Sequence, residues 1–380
     1  MNILIGSNIH WWNAEAAYAA TISELLVRAG HSVFVLTRKG SLNEKYLRQL
    51  ELRLVTDINI NSKNPIRLLN DYHKLKKFLL EEKIDLINAH LSEGFPLFIF
   101  AAHALSANGL GNYIPVIRTR GTTRPLLQHW LNRKMQLDWT DKIITAGEIV
   151  SERILEAVPI KPEKLKTIYY PIDCPNIPLR PPEDYLIEFD IPPKAKVIAV
   201  VGRIRQVKGQ RILLQSLNQL ITEFPDMVLL ILYRDTASNE PEMQALKNDI
   251  SRFNLEANVR LISERKDILQ LMEFVDVGVV SSVESEVICR VAVEFFSVAT
   301  PVVAFPTGCL PEIIRHEKNG MLTNLKTSEA LTEELRKILV NPEFCERLGR
   351  GARLDAETRF SPQIMLTETL KVFGNALKKK

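Results

Sequence analysis

The 380-residue chain has only four cysteines, Cys174, Cys289, Cys309 and Cys345, with no C-x-x-C pair and no neighbouring histidine pair. That spacing argues against a structural zinc site or a disulfide framework and suits a reducing, cytosolic setting. Long apolar runs are lacking too. The most apolar stretch, Phe95 to Leu105, contains His103 and falls short of the roughly 20 residues that span a bilayer. The opening Met1-Asn2-Ile3-Leu4-Ile5-Gly6 has neither the basic flank nor the cleavage site of a secretory signal, so the chain is expected to begin directly in a fold. Glycine-rich phosphate loops are missing: Ser7-Asn8-Ile9-His10-Trp11-Trp12-Asn13 follows the first apolar run, and neither G-x-G-x-x-G nor Walker A occurs. A Rossmann dehydrogenase or a P-loop enzyme is therefore disfavoured. Gly-x-Ser-x-Gly and His-Glu-x-x-His are absent as well.

What is present is an ordinary globular composition, 46% hydrophobic and 25% charged, with a formal charge of +4. The charge is unevenly spread. Residues 1–180 hold 23 basic and 17 acidic side chains, against 26 and 28 in residues 181–380. The imbalance is too small for a dedicated nucleic-acid binder, and no nucleic-acid partner is expected. It suits a first half that meets an anionic ligand or membrane surface, and equally a solvated basic face.

Short β-branched runs alternate with helical-period segments, the pattern of parallel sheets covered by helices. Strands are expected at Ile3–Gly6, Ser32–Thr37, Asp85–Ala89, Pro115–Thr119 and Lys142–Thr145, with a helix over Ala14–Ala29 ended by Gly30. Seven of the 20 prolines fall between Pro171 and Pro193, a density that reads as a linker. Alternation then restarts at Val197–Val201, followed by a helix over about Lys208–Phe224 and strands at Met227–Leu232, Val259–Ile262, Val277–Val280 and Pro301–Phe305. The tail is helical over Thr327–Val340, Pro342–Thr358 and Pro362–Leu377. The expected organisation is an α/β domain over 1–170, a linker over 171–195, a second α/β domain over 196–360, and a C-terminal helix over 361–380 free to pack back on the first domain.

Two segments of the second domain carry chemistry. Gly202-Arg203-Ile204-Arg205-Gln206-Val207-Lys208-Gly209 leaves a strand's carboxyl end and enters a helix, where free N–H groups and two cations suit phosphate; a glycine-punctuated surface turn reads equally well. Further on, Glu286 stands before a helix and Glu294 within it, among Ala292, Val293, Phe295 and Phe296. A carboxylate in so apolar a helix requires a hydrogen-bonding partner, either a ligand or Arg290 one turn back. Were both residues helical, they would lie about 80° apart with a rise of roughly 12 Å.

With these segments in order, and with Ala299-Thr300-Pro301-Val302-Val303-Ala304, Gly308-Cys309-Leu310-Pro311-Glu312-Ile313-Ile314 and Asn319-Gly320 after them, the chain resembles the retaining glycosyltransferases of family 4. Arg28-Ala29-Gly30-His31-Ser32-Val33 extends the resemblance to the first domain. It implies the GT-B fold, two Rossmann-like α/β/α domains facing each other across a cleft, and a second domain that binds a nucleotide diphosphate sugar. By the same resemblance Arg203 and Lys208 meet the diphosphate, Glu294 the ribose hydroxyls and Glu286 the transferred sugar, with Val287, Ile288 and Cys289 completing the phosphate cradle. His90, after Asn88-Ala89, would lie near the donor sugar, although a lone histidine reads equally as a satisfied core residue. Glu286 and His90 are the implied catalytic residues. No metal and no cofactor beyond the co-substrate are expected.

The sequence departs from the family pattern at Tyr233-Arg234-Asp235, where a glycine-rich turn is usual and Arg234 would join the anion site. Val287-Ile288-Cys289 replaces Gly-Phe-Gly, and His10-Trp11-Trp12-Asn13 replaces a glycine pair. Indole rings stack on sugars and also pack in cores; Trp11, Trp12 and Asn13 are assigned to the acceptor. Arg118 and Arg120 share one face of an extended segment, with Gly121 and Arg124 after them, and read as contacts to an anionic acceptor or a diphosphate, or equally as ion pairs to helices.

The expected function is a cytoplasmic, metal-independent, retaining transfer of a sugar to a hydroxyl of a cell-envelope glycan or glycolipid such as lipopolysaccharide, with peripheral contact to the inner face of an anionic membrane. The alternatives are a non-catalytic nucleotide-sugar binder and an epimerase or phosphorylase of the same fold.

Overall fold

The computed structural model describes residues 1–62, 64–90, 94–107, 113–126, 129–174, 181–234, 240–284 and 286–378. The chain forms two compact units, Met1–Tyr170 with Pro362–Lys380, and Pro171–Ser361. In the first, the order is β1 (Asn2–Gly6), α1 (Ala14–Arg28), β2 (Ser32–Leu36), α2 (Leu42–Gln49), β3 (Arg53–Val55), α3 (Pro65–Glu81), β4 (Leu86–His90), α4 (Phe95–Ala107), β5 (Val116–Arg120), α5 (Trp130–Leu137), β6 (Lys142–Thr145), α6 (Glu148–Ala157) and β7 (Leu165–Thr167). The seven strands are parallel in the order β3-β2-β1-β4-β5-β6-β7. Parallel pairing forces every return through a crossover, so all strand carboxyl ends lie on one edge.

The second unit contains α7 (Pro182–Glu188), β8 (Val197–Val201), α8 (Gln210–Leu220), β9 (Val228–Leu232), α9 (Glu240–Arg252), β10 (Val259–Ile262), α10 (Ile268–Phe274), β11 (Val277–Val280), α11 (Arg290–Ser297), β12 (Val302–Ala304), α12 (Leu310–Ile313), β13 (Gly320–Leu322), α13 (Ser328–Leu339) and α14 (Pro342–Arg359). Its six strands run parallel in the order β10-β9-β8-β11-β12-β13. The final helix, α15 (Pro362–Leu377), packs on α1 of the first unit, and Lys166 bonds Glu368 across 2.7 Å.

Strands buried on both faces read as continuous apolar runs: Ile3, Leu4 and Ile5 are fully buried, as are Leu229, Leu230 and Ile231. The core of the second unit joins Leu213, Leu217, Leu229, Ile231, Val279 and Leu335; that of the first joins Leu4, Leu75, Ile87, Phe98 and Val116. A polar knot ties the end of the second unit. Asp355, 1% exposed, accepts from Arg315 Nε (2.9 Å), Arg359 Nη1 (2.9 Å) and Asn319 Nδ2 (2.6 Å).

The structure differs from the sequence reading in several places. The stretch taken as a linker, 171–195, contains α7, because Pro181 and Pro182 sit at the cap and first turn, where a missing N–H removes no helical bond. Tyr185 of that helix is buried. Residues 175–180 of the stretch, and Asp235, lie outside the described residues. The helix expected from Lys208 begins at Gln210, because Gln206–Lys208 form a 3₁₀ turn first. Strands β3, β7 and β13 were not expected.

Candidate active site

In the second unit the loops after β8 and β11 meet. Gly209 has φ +68°, a backbone state that costs glycine little, and a Cβ there would overlap the Ser281 carbonyl. The Ser281 hydroxyl donates to the Lys208 carbonyl across 2.9 Å, and the Val283 amide to the Val207 carbonyl across 2.9 Å. Together these contacts fix Lys208 against the loop that carries Glu286.

Glu286 is 7% exposed. Its Oε1 accepts from Ser282 Oγ (2.6 Å) and pairs with the Lys208 ammonium. The Cys309 amide donates to the Glu286 carbonyl across 2.7 Å. Gly308, at φ +57°, lies so close to that carbonyl that a Cβ would collide with it. Ser282 and Gly308 are thus part of the site; sequence reading missed Ser282, and it placed Gly308 in a family segment without giving it a role. The positive φ of Gly308 follows from the packing of α12 on the Glu286 loop, which no local pattern signals.

Glu286 precedes α11 rather than joining it, so the angular relation expected for two helical residues does not apply. Glu294 lies within α11, and Arg290 Nη2 donates to its Oε1 across 2.9 Å, the intrahelical pairing weighed against a ligand. Arg203 is exposed, and its guanidinium makes no hydrogen bond or ion pair among the described residues; its carbonyl accepts from Gln210 Nε2 at 2.9 Å. Arg234 holds Glu264 through Nη2 (2.7 Å) and Nε (3.2 Å). Val287 and Ile288 are half-buried. Burial pushes the Cys289 thiol well above its ordinary range and the Cys309 thiol up to about 12, so neither is a thiolate at neutral pH.

In the first unit, His90 ends β4 and is 4% exposed, with Nε2 unpartnered. Burial pushes its pKa down to about 3, which keeps the ring neutral. Arg118 and Arg120 lie on one face of β5, 2% and 4% exposed. Arg118 stacks over Phe95, 4.6 Å from the ring centre; burial first, and Arg120 second, lower its pKa to about 9. Arg120 Nη2 donates to the Arg124 carbonyl across 2.7 Å, and Arg124 is exposed. Trp11 is 63% exposed. Trp12 stacks on Tyr46 with ring centres 4.7 Å apart, and Asn13 caps α1 by accepting from the Ala16 amide at 2.9 Å, so both side chains already serve the fold. Sequence reading also missed Glu15 and Asn8. An acid in a helix's first turn ordinarily reads as a dipole partner, whereas this one faces the end of β5.

Residues 16–175 match the family model "Glycosyltransferase Family 4" and residues 183–355 match "Glycosyl transferases group 1". Spore coat protein SA of Bacillus subtilis is 28% identical over 254 residues, which cover 62% of this chain and 66% of that protein; the chain thus spans just under two thirds of that relative's length. A glycosyltransferase from Rickettsia africae ESF-5 superposes with a TM-score of 0.88 at 19% identity, over 100% of this chain and 99% of that one. Anabaena Alr3699/HepE in complex with UDP superposes with a TM-score of 0.84 at 20% identity, over 98% and 100%. With two all-parallel α/β units and family models matched along both, the chain belongs to the group 1 glycosyltransferases of family 4 and has the GT-B fold.

Proposed function

We propose that the protein is a metal-independent, retaining glycosyltransferase that moves a sugar from a nucleotide diphosphate sugar to an acceptor hydroxyl. The observation that carries this reading is the Lys208–Glu286 pair, clamped at the carboxyl edge of the second sheet by Gly209 and Gly308. Ligands of open α/β sheets bind at that edge. The UDP held by the Anabaena structural neighbour supports a nucleotide donor.

Lys208 and the unengaged Arg203 guanidinium are the cations for the diphosphate, where charge develops as the bond from the anomeric carbon to the phosphate oxygen breaks. Glu286 accepts hydrogen bonds from hydroxyls of the departing sugar, and Glu294 from the ribose once Arg290 turns to the phosphate. Val287, Ile288 and Cys289 lead into α11 and line the cradle, with Arg234 joining the anion site. The acceptor oxygen bonds to the same face of the anomeric carbon, and the departing phosphate oxygen takes its proton. Neutral His90 offers a hydrogen bond to the transferred sugar without adding charge. Trp11, Arg118, Arg120 and Arg124 form the acceptor side, with Trp12 and Asn13 beside Trp11 engaged by Tyr46 and the α1 cap.

The acceptor we propose is a cell-envelope glycan or glycolipid, of the lipopolysaccharide type, met by a cytoplasmic enzyme at the inner face of an anionic membrane. The basic excess of residues 1–180 and the exposed indole of Trp11 support it. Among the described residues no helix is long and apolar enough to cross a membrane. The test is release of UDP from UDP-sugars by wild type, Lys208→Ala and Arg203→Ala. A transferase loses turnover in both variants with the fold intact, whereas a protein that binds UDP-sugars and never cleaves them is a binder only.

A further inference from the structure

The carboxyl edge of the first sheet gathers buried polar atoms from separate elements. Asn8 follows β1, Glu15 lies in the first turn of α1, and Arg120 ends β5, with β1, β4 and β5 adjacent in the sheet. Asn8 is 3% exposed, and both ends of its amide lack partners. Exchanging its oxygen and nitrogen therefore leaves the conclusion unchanged. Glu15 Oε1 and Arg120 Nε are likewise buried without partners. The two residues are near enough to shift each other's ionisation, yet they form no ion pair among the described residues. Burial outweighs Arg120, the Gly121 amide and Arg124, so the Glu15 carboxyl is held above its ordinary pKa.

The unpartnered atoms are of both kinds. Arg120 Nε and Asn8 Nδ2 donate, while Glu15 Oε1 and Asn8 Oδ1 accept. An anion supplies acceptors alone: it would satisfy the donors and set negative charge against Glu15 and the Asn8 oxygen. A hydroxyl both donates and accepts, so hydroxyls spread around a sugar ring suit a set spread over β1, α1 and β5. Leaving such groups unpaired in a buried place is costly, which gives a ligand that pairs them its advantage. Glu15 is only partly buried as a residue.

We propose that Asn8, Glu15 and Arg120 form a subsite for the hydroxyls of an uncharged sugar residue of the acceptor, with Glu15 as the residue that rejects an anionic group there. This rests on the transferase reading for the word acceptor, and it reverses the anionic preference that the arginines alone suggest. Any negative charge on the acceptor then lies away from Arg120.

The test is saturation-transfer NMR and calorimetry on the full chain with saturating UDP. The probes are methyl glucoside, methyl galactoside, methyl N-acetylglucosaminide and methyl glucoside 6-phosphate. Wild type should bind at least one neutral glycoside and prefer it to the 6-phosphate. Asn8→Ala should weaken the neutral glycoside about tenfold, the loss expected for one buried hydrogen-bonding group. Glu15→Gln should weaken the neutral glycoside and strengthen the 6-phosphate, with UDP binding unchanged in both variants. The proposal is overturned if wild type prefers the 6-phosphate, if no neutral glycoside binds, or if Glu15→Gln leaves the preference as it was. Should Asn8→Ala fold poorly, the Glu15→Gln preference decides alone. Failure of the transferase reading shows separately, as uncleaved UDP-sugar beside intact glycoside binding.

Discussion

Glu286→Gln separates binding from chemistry at the second unit. In the free protein the Lys208 ammonium is held by Glu286, so a diphosphate must displace that carboxylate before it can use the cation. The side chains are 26% and 9% exposed. A charge-assisted hydrogen bond is worth about 1.5–3 kcal/mol, and the partial exposure of Lys208 reduces this to roughly 1 kcal/mol after screening. Removing the competing charge should therefore tighten UDP about fivefold. Glutamine still accepts from Ser282 and keeps the backbone bond to Cys309, so stability should change little. Turnover of a UDP-sugar should fall by about 10²-fold or more, the usual scale for losing one electrostatic contact to the reacting sugar. Calorimetry with UDP and a coupled assay of UDP release read the two effects on one preparation. Unchanged turnover, or weaker UDP binding, would refute the reasoning, since either means that Glu286 does not divide its service between Lys208 and the sugar.

Other consequences follow from burial. Because the folded pKa of His90 lies far below the ordinary 6.5, its contribution to stability is present above pH 6.5 and is lost as the pH falls towards 3. Relative to His90→Asn, wild type should lose about 1.4 kcal/mol per pH unit across that window, read by urea unfolding at pH 7, 6 and 5; parallel profiles would contradict it. Asp355→Ala leaves Arg315, Arg359 and the buried Asn319 without their shared carboxylate and, with both arginines partly exposed, should destabilise the second unit by about 1–3 kcal/mol, visible as a lower urea midpoint. Gly308→Ala forces a Cβ against the Glu286 carbonyl at positive φ; loss of UDP affinity with a fall in Tm is expected, and wild-type behaviour would mean that the Glu286 loop is not held there. Trp11→Ala should alter stability by no more than about 0.5 kcal/mol, as for other exposed positions, while slowing transfer to a glycan acceptor; equal transfer rates would remove Trp11 from the acceptor side.

The central strands and longer helices were legible because burial on both faces leaves continuous apolar runs such as Val197–Val201, and because glycine at 30 stops α1. The missed strands β3, β7 and β13 are three residues long and lie at sheet edges. Their pairing comes from a neighbouring strand's backbone, so Leu165-Lys166-Thr167 needs no apolar pattern. The second-unit site was readable in outline, since Lys208 and Glu286 stand in loops between regular elements. Asn8 was not readable, because a lone asparagine after a strand carries no local sign of burial, and Glu15 was not, because it meets the end of β5, remote in sequence. The same distance hid the pairing of Trp12 with Tyr46.

The central claim is that this protein cleaves a nucleotide sugar with retention. The most direct measurement is proton NMR of wild-type protein with uridine, guanosine and adenosine diphosphate sugars, following nucleotide release and the anomeric signal of the first sugar product. The account predicts that one donor is consumed and that the product keeps the donor's anomeric configuration. A donor that binds and is never cleaved, or a first product of inverted configuration, would contradict it.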